Sequence, residues 1–242
     1  MSLNASTYSS APVQPAIEVQ PLFKNVWYLL STVAATCEKI LQEVRNLQRS
    51  ELREAGEGFD VEKQVGSSTM AHKKNPIKSE NACGLARIVR AMIIPTYENA
   101  LLWHERDLAN SSSERFTLSH GSALCEDVIA KTRDVLTNMW VDADRCLENI
   151  KSQRGLVMAE KVMIDLVDHG IARDEAHEIL REASFTAVAN KEELIDVCSR
   201  TPAISAAFSA EELEAMFDPA NHIGVSGELV DECVALARAA IQ

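Results

Sequence analysis

Apolar residues recur at alternating steps of three and four along two long segments of the chain. The first segment runs from Leu22 to about Ala55, and its apolar positions are Val26, Leu30, Val33, Cys37, Ile40, Val44 and Leu47. The second runs from Leu118 to Ile150, through Cys125, Ile129, Leu136, Met139 and Cys146. This spacing keeps one helix face apolar over many turns, so it predicts two long bundle helices.

The part of the chain between these two apolar segments has its own secondary-structure signals. Residues Gly56 to Lys74 break the apolar pattern with Gly, Ser and Thr and end on lysines, which predicts a mobile loop. A helix should then begin at Asn75–Pro76, since Asn can cap a helix and Pro suits its first position. Pro95 should interrupt that helix. Ser111 and Glu114 have capping-box spacing, which predicts the start of the second long helix.

After about Lys151 the apolar segments become shorter. Gly170 is predicted to end a helix, Asp174 to begin one, and Ser209 with Glu212 to form a capping box. We therefore predict an all-α fold, a bundle of long helices with a smaller helical domain at its C-terminal side. Its predicted parts are a leader or disordered tail (1–21), a central helical-bundle domain (22–150) containing the loop 56–74, and a C-terminal helical domain (151–242).

Composition narrows the class of protein. A hydrophobic fraction of 46% with only 9 Gly and 7 Pro suits a folded helical protein. The net charge of −12 argues against a nucleic-acid binder, so an anionic ligand must meet a local basic cluster.

The six cysteines lack zinc or redox spacing, and Cys37, Cys125 and Cys146 fall on apolar stripes as expected buried thiols. No apolar run nears the ~20 residues of a membrane span and no signal peptide is evident, so we expect a reduced, cytoplasmic setting.

One string carries most of the chemical information. Residues Gly66 to Pro76 read GSSTMAHKKNP, and IKSE follows. By composition alone this is an ordinary surface loop, although a cationic loop before a helix start also suits binding and deprotonation of a carboxylated substrate. The order of residues resembles the signature GSSxMPxKxNP of the aspartase/fumarase superfamily. It departs only at Ala71, where that superfamily usually has Pro.

The resemblance implies a role for each matched residue. Ser67 would be the general base that removes a proton next to a carboxylate, which requires that nearby cations and amides stabilise its alkoxide. Lys73 would supply such a cation and, with Asn75, bind the carboxylate of the departing fumarate. Ser68 and Glu80 would complete this part of the substrate site.

A second string indicates which enzymes of this superfamily the chain resembles. Residues His104 to Arg115 read HERDLANSSSER and resemble the HERDxxxSSxER segment of adenylosuccinate lyases. Alone, the string is also typical of a capped helix with solvated ion pairs. The resemblance implies that Arg106, Ser111 and Arg115 bind the nucleotide, chiefly its phosphate, as hydroxyls and guanidinium groups at a helix start can do. Segments 160–177 and 218–224 resemble the terminal domain of the same enzymes.

The resemblance implies elimination of fumarate from adenylosuccinate, giving AMP, and from succinyl-carboxamide ribotide (SAICAR), giving AICAR, in purine biosynthesis. It implies no metal or organic cofactor, and a homotetramer whose active sites are shared between subunits. The histidine acid and the TSxD-like segment of the superfamily match no string here, so we expect this chain to lack the N-terminal catalytic portion and to be inactive alone. Two alternatives remain, a carboxymuconate cycloisomerase-like enzyme with a similar loop and a non-catalytic helical scaffold.

Overall fold

The computed structural model describes residues 15–58, 73–103 and 107–241. The chain divides into two compact units, Met1–Ala143 and Asp144–Gln242. The predicted all-α class is confirmed, because the strands of the described residues are limited to β1 (Ala55–Gly56) and β2 (Trp140–Val141), which pair antiparallel. None of the described helices combines the length and apolar character needed to cross a bilayer.

The first unit is built on three helices, α1 (Pro15–Leu47), α2 (Ile77–Ala91) and α5 (Ser122–Asn138). They share two buried clusters. One contains Trp27, Ala34, Cys37, Ala86, Val89, Cys125 and Val128. The other contains Leu41, Val44, Ala82, Cys83 and Val135. The start of α2 therefore packs with the ends of α1 and α5, so α2 runs antiparallel to both.

The first long helix differs from its prediction at both ends. It begins at Pro15 rather than Leu22 and ends at Leu47 rather than near Ala55. Beyond it, Arg53 takes a left-handed conformation with φ of 56°, and β1 pairs with β2 instead of extending the helix. Gly56 thus lies in a strand, not in the predicted loop. Residues 1–14 of the predicted leader and 59–72 of the predicted loop lie outside the described residues.

Pro95 interrupts the second helix as predicted. Helix α2 ends at Ala91, and α3 (Ile93–Glu98) follows after Met92. Proline has no N–H to donate to the carbonyl four residues earlier, and its ring clashes with that carbonyl. The residue four before Pro95 is Ala91, which explains where the helix breaks.

The prediction of one continuous helix up to Ile150 is wrong. The segment instead forms α4 (Ala109–Phe116), a π-helical turn (Thr117–Gly121), α5, β2 and α6 (Ala143–Ser152). Met139 is extended, with φ of −65° and ψ of 151°, because Trp140 and Val141 pair with β1. At the π-helical turn, a Cβ on Gly121 would lie 2.8 Å from Cζ2 of Trp27, so the close packing there requires glycine.

The second unit consists of shorter helices around its own core. They are α7 (Ala159–Asp168), α8 (Arg173–Asn190), α9 (Leu194–Arg200), α10 (Pro202–Ala207), α11 (Ala210–Phe217) and α12 (Ser226–Ile241), with 3₁₀ turns at Leu156–Met158 and Pro219–His222. The core includes Leu166, Leu180, Leu194, Cys198 and Ile204. The domain boundary predicted at residues 150 and 151 falls within α6 and stays a prediction.

Two of the three predicted helix ends in this unit are confirmed. Gly170 has φ of 90° after α7, and the Ile171 N–H donates to the Leu166 carbonyl at 3.1 Å, which closes the helix. Ser209 and Glu212 form the predicted capping box at the start of α11. Asp174 is not an N-cap, because α8 already begins at Arg173.

Candidate active site

The described residues on either side of segment 59–72 are held close together by Gln48. Its side-chain Nε2 donates to the Lys74 carbonyl at 3.0 Å, and its Oε1 accepts from the Glu57 N–H at 2.9 Å. One amide therefore binds the backbone before this segment and the backbone after it. Gln48 directly follows α1, so these contacts fix Lys74 against the C-terminal end of that helix.

Glu57 completes this arrangement at the start of α2. It is buried, with only 5% of its surface exposed. Its carboxylate accepts from the Lys78 N–H at 3.1 Å and from the N–H and hydroxyl of Ser79, both at 2.9 Å. These donors include backbone N–H groups of the first turn, which have no partner within the helix. The predicted Asn75 cap is therefore wrong, since Glu57 satisfies these groups and Pro76 occupies the N-cap position.

A groove of about 790 Å³ opens beside these contacts. It lies between the C-terminal end of α1 and the chain that leads into α2. Its lining is mostly polar and carries several cations. The lining residues are Gln42, Arg45, Asn46, Gln48, Arg49, Ser50, Lys73, Lys74, Asn75, Pro76 and Glu80.

Three of the predicted site residues meet in this groove. Lys73 and Asn75 lie on the segment that enters α2, and Glu80 lies in the first turn of that helix. Lys73 is exposed, and among the described contacts no carboxylate pairs with it. The other two predicted residues of the loop, Ser67 and Ser68, lie outside the described residues.

The predicted phosphate-binding residues lie on α4. Ser111 and Arg115 are four residues apart in this helix, so they share one face. The predicted capping box of Ser111 with Glu114 is wrong, because α4 begins earlier and Glu114 Oε1 accepts from Asn110 Nδ2 at 2.9 Å. Arg106 lies outside the described residues.

Asp107 holds the start of α4. Its carboxylate accepts from the Ala109 N–H at 2.8 Å and from the Trp103 N–H at 3.0 Å. These backbone hydrogen bonds lower the pKa of Asp107 below its ordinary value. The carboxylate therefore stays ionised and satisfies a helix-end donor near the predicted phosphate residues.

The two groups of predicted residues are at opposite ends of α2. Lys73, Asn75 and Glu80 surround its start, whereas α4 follows α3, which continues from the end of α2. The 15 residues of α2 span about 22 Å at ~1.5 Å per residue. One chain therefore does not bring both groups to the same small ligand.

The sequence did not reveal the roles of Glu57, which lies beside the groove, or of Gln48, Arg45 and Arg49, which line it. Glu57 and Gln48 act through contacts between distant segments, which no local pattern reveals. Arg45 and Arg49 are spaced by four at the end of a predicted amphipathic helix. That spacing was available in the sequence, but it is also typical of a solvated helix face.

Known protein families match both units. A family model described as adenylosuccinate lyase C-terminus matches residues 155–233, and one described as lyase matches residues 15–91. An adenylosuccinate lyase of Archaeoglobus fulgidus is 42% identical over 205 residues, which cover 85% of this chain and 46% of that protein. One of Pyrococcus horikoshii is 37% identical over 224 residues, covering 93% and 49%. The chain thus spans about half the length of these curated relatives.

Solved structures share the fold. A fumarate lyase from Mesorhizobium superposes with a TM-score of 0.80 at 25% identity, over 92% of this chain and 49% of that one. A 3-carboxy-cis,cis-muconate lactonizing enzyme from Pseudomonas putida superposes with a TM-score of 0.77 at 29% identity, over 88% and 46%. Both likenesses extend over most of the chain.

Proposed function

Because this chain belongs to the adenylosuccinate lyase family, we propose that it forms part of an enzyme that eliminates fumarate from adenylosuccinate to give AMP. The same site would convert SAICAR to AICAR, so the enzyme would act twice in purine biosynthesis, in the cytoplasm. The substrate class is a nucleotide that carries a succinyl group on nitrogen. The groove supports this proposal most directly, since it joins Lys73, Asn75 and Glu80 in a cationic setting suited to a carboxylate.

The proposed elimination begins at the succinyl group. Ser67, as its alkoxide, removes the proton from the carbon next to a carboxylate, and the electron pair is delocalised into that carboxylate. Lys73 stabilises the developing charge, while Ser68 and Asn75 hold the carboxylate and Glu80 orders the site. The carbon–nitrogen bond then breaks, an acid from outside this chain protonates the leaving nitrogen, and fumarate departs.

We further propose that the active sites are shared between subunits of a homotetramer. The length of α2 separates the carboxylate-binding residues from Ser111 and Arg115, so one substrate would need the two groups from different chains. Large apolar side chains on the first unit are also exposed, including Leu29, Ile94, Leu101, Trp103 and Leu108. Apolar surface of this extent is typical of subunit interfaces.

The alternative of a carboxymuconate cycloisomerase-like enzyme is supported by the similar fold of the 3-carboxy-cis,cis-muconate lactonizing enzyme. The lactonizing enzyme, however, is 29% identical, whereas the adenylosuccinate lyase of Archaeoglobus fulgidus is 42% identical over a similar share of the chain. Ser111 and Arg115 also lie in a string that resembles adenylosuccinate lyases. We therefore favour a nucleotide substrate.

Nucleotide binding tests this proposal and separates it from a non-catalytic scaffold. AMP should bind the 242-residue chain, and Arg115→Ala should weaken binding about tenfold or more, because a charge-assisted hydrogen bond to phosphate is lost. Arg133→Ala is the matched control, since Arg133 is an exposed arginine on α5. Calorimetric titration that detects no AMP binding, or equal losses in both variants, would contradict the proposal.

A further inference from the structure

The groove beside α2 carries more positive charge than the proposed roles require. The chain as a whole has a net charge of −12, yet Arg45, Arg49, Lys73 and Lys74 all line this groove. Among the described residues that line it, Glu80 is the one acidic residue. Lys73 is proposed to bind a substrate carboxylate, whereas the proposed elimination gives Arg45 and Arg49 no ligand.

The two arginines are not neutralised by carboxylates within the described part of the chain. Arg45 Nη1 donates to the amide oxygen of Gln42 at 2.8 Å, and Arg49 Nε donates to the Asn46 carbonyl at 3.2 Å. Both acceptors are uncharged. The C-terminal end of α1 favours a nearby cation, which accounts for Arg45 in its last turn. It does not account for a second arginine beside two lysines, since like charges four residues apart repel each other.

Hydrogen bonding connects the arginine side of the groove to the lysine side. Gln48 lies between Arg45 and Arg49 in the chain, and its Nε2 donates to the Lys74 carbonyl at 3.0 Å. The arginines and the segment from Lys73 to Asn75 therefore line one groove, and Gln48 joins the α1 side to that segment. An anion held by Lys73 and Asn75 would share this groove with both arginines.

We propose that Arg45 and Arg49 bind the second carboxylate of a dicarboxylate whose first carboxylate is held by Lys73 and Asn75. This assignment rests on the proposed function, because the dicarboxylate would be the four-carbon unit that the elimination releases. Cations from two separate chain segments in one groove match a ligand with a carboxylate at each end. A guanidinium group also presents paired N–H donors that fit the two oxygens of a carboxylate.

Succinate is a suitable probe, because it is a four-carbon dicarboxylate that cannot react. Its affinity for the 242-residue chain should fall about tenfold or more in Arg45→Gln and in Arg49→Gln, since each loses a hydrogen bond to a charged group. Arg49→Lys should lose less, because it keeps the charge without the guanidinium fork. The matched control is Lys39→Gln, an exposed cation on α1 that does not line the groove. Isothermal titration at low salt measures all four variants.

Four comparisons decide the outcome. Monomethyl succinate, a monoanion, should bind weakly, and the arginine variants should change its affinity little. Succinate affinity that is unchanged in both glutamine variants, or undetectable in the parent chain, would overturn the assignment. Inorganic phosphate that binds as tightly as succinate, and in an arginine-dependent way, would also overturn it. The assignment would likewise fail if the arginine substitutions changed the oligomeric state but not the affinity for succinate. AMP binding through Arg115 would survive each of these results, which distinguishes this failure from failure of the proposed function.

Discussion

The carboxylate of Glu57 accepts hydrogen bonds from both the backbone N–H and the hydroxyl of Ser79, each at 2.9 Å. This buried contact joins residues that are far apart in the chain and lies at the end of α2 that carries Glu80. The glutamate thereby performs the work of an N-cap from outside the helix. The position of the groove residues on α2 depends on it.

Glu57→Gln should therefore destabilise the chain. The amide replaces one acceptor oxygen with a donor that faces the N–H groups of α2, so buried donors lose their partner. The free energy of unfolding should fall by about 1.5–3 kcal/mol, the range for hydrogen bonds to a charged group. Urea denaturation followed by circular dichroism measures the change. Glu43→Gln, an exposed glutamate on α1, serves as the control, and equal stabilities of the two variants would contradict the capping role.

Glu57 also marks the limit of what the sequence could predict at this site. The residues Lys73, Asn75 and Glu80 were found because they belong to a local string. The capping glutamate and Gln48 were not found, because their function depends on contacts across 21 or more residues of sequence, from Glu57 to Lys78 and from Gln48 to Lys74. Local signals even indicated the wrong cap, Asn75.

A second carboxylate links α1 to α2 and makes stability depend on pH. Burial raises the pKa of Glu38, but hydrogen bonds and charges from Arg90 and Arg87 outweigh this effect and hold the pKa below its ordinary value. A carboxyl group whose pKa is lowered by folding stabilises the protein above its unfolded pKa. That stabilisation is lost as the pH falls through the folded pKa.

Glu38→Gln should accordingly lower the melting temperature most at pH 6 to 7. The difference from the parent chain should shrink as the pH falls through the folded pKa of Glu38, where the parent carboxylate takes up a proton. Thermal unfolding across this pH range measures the difference. A gap that stays constant with pH would indicate that the ion pairs with Arg87 and Arg90 contribute nothing.

Thiol reactivity should differ sharply between two cysteines of the second unit. Burial raises the pKa of Cys198 to about 12, whereas Cys233 on α12 is exposed. The thiolate is the reactive form, and at pH 8 only about one in ten thousand Cys198 thiols would be ionised. Iodoacetamide should therefore label Cys233 quickly and Cys198 only in denaturant, as peptide mass spectrometry can measure. Similar labelling rates in the native chain would contradict the burial of Cys198.

The helical periodicity predicted the class of fold but not where the long helices end. In the sequence, the helical spacing of apolar residues from Leu118 to Ile150 continues past Met139. In the structure, the helix ends there and the backbone becomes extended to form β2. A two-residue strand pair adds almost no periodic signal, and its partner, β1, lies far away in the chain. The breaks with a local cause, at Pro95 and Gly170, were predicted correctly because proline chemistry and positive φ act within one turn.

The release of fumarate from adenylosuccinate tests the central claim most directly. The 242 residues alone should show little activity, because the proposed acid lies outside them and the absence of a positioned acid typically costs ~10²–10⁴-fold. Adding the separately produced N-terminal portion of the Archaeoglobus fulgidus relative should restore activity if the two pieces assemble. The same mixture with Ser67→Ala should stay nearly inactive, because the base is lost. Full activity of the isolated chain, or activity of the mixture that does not depend on Ser67, would contradict the account.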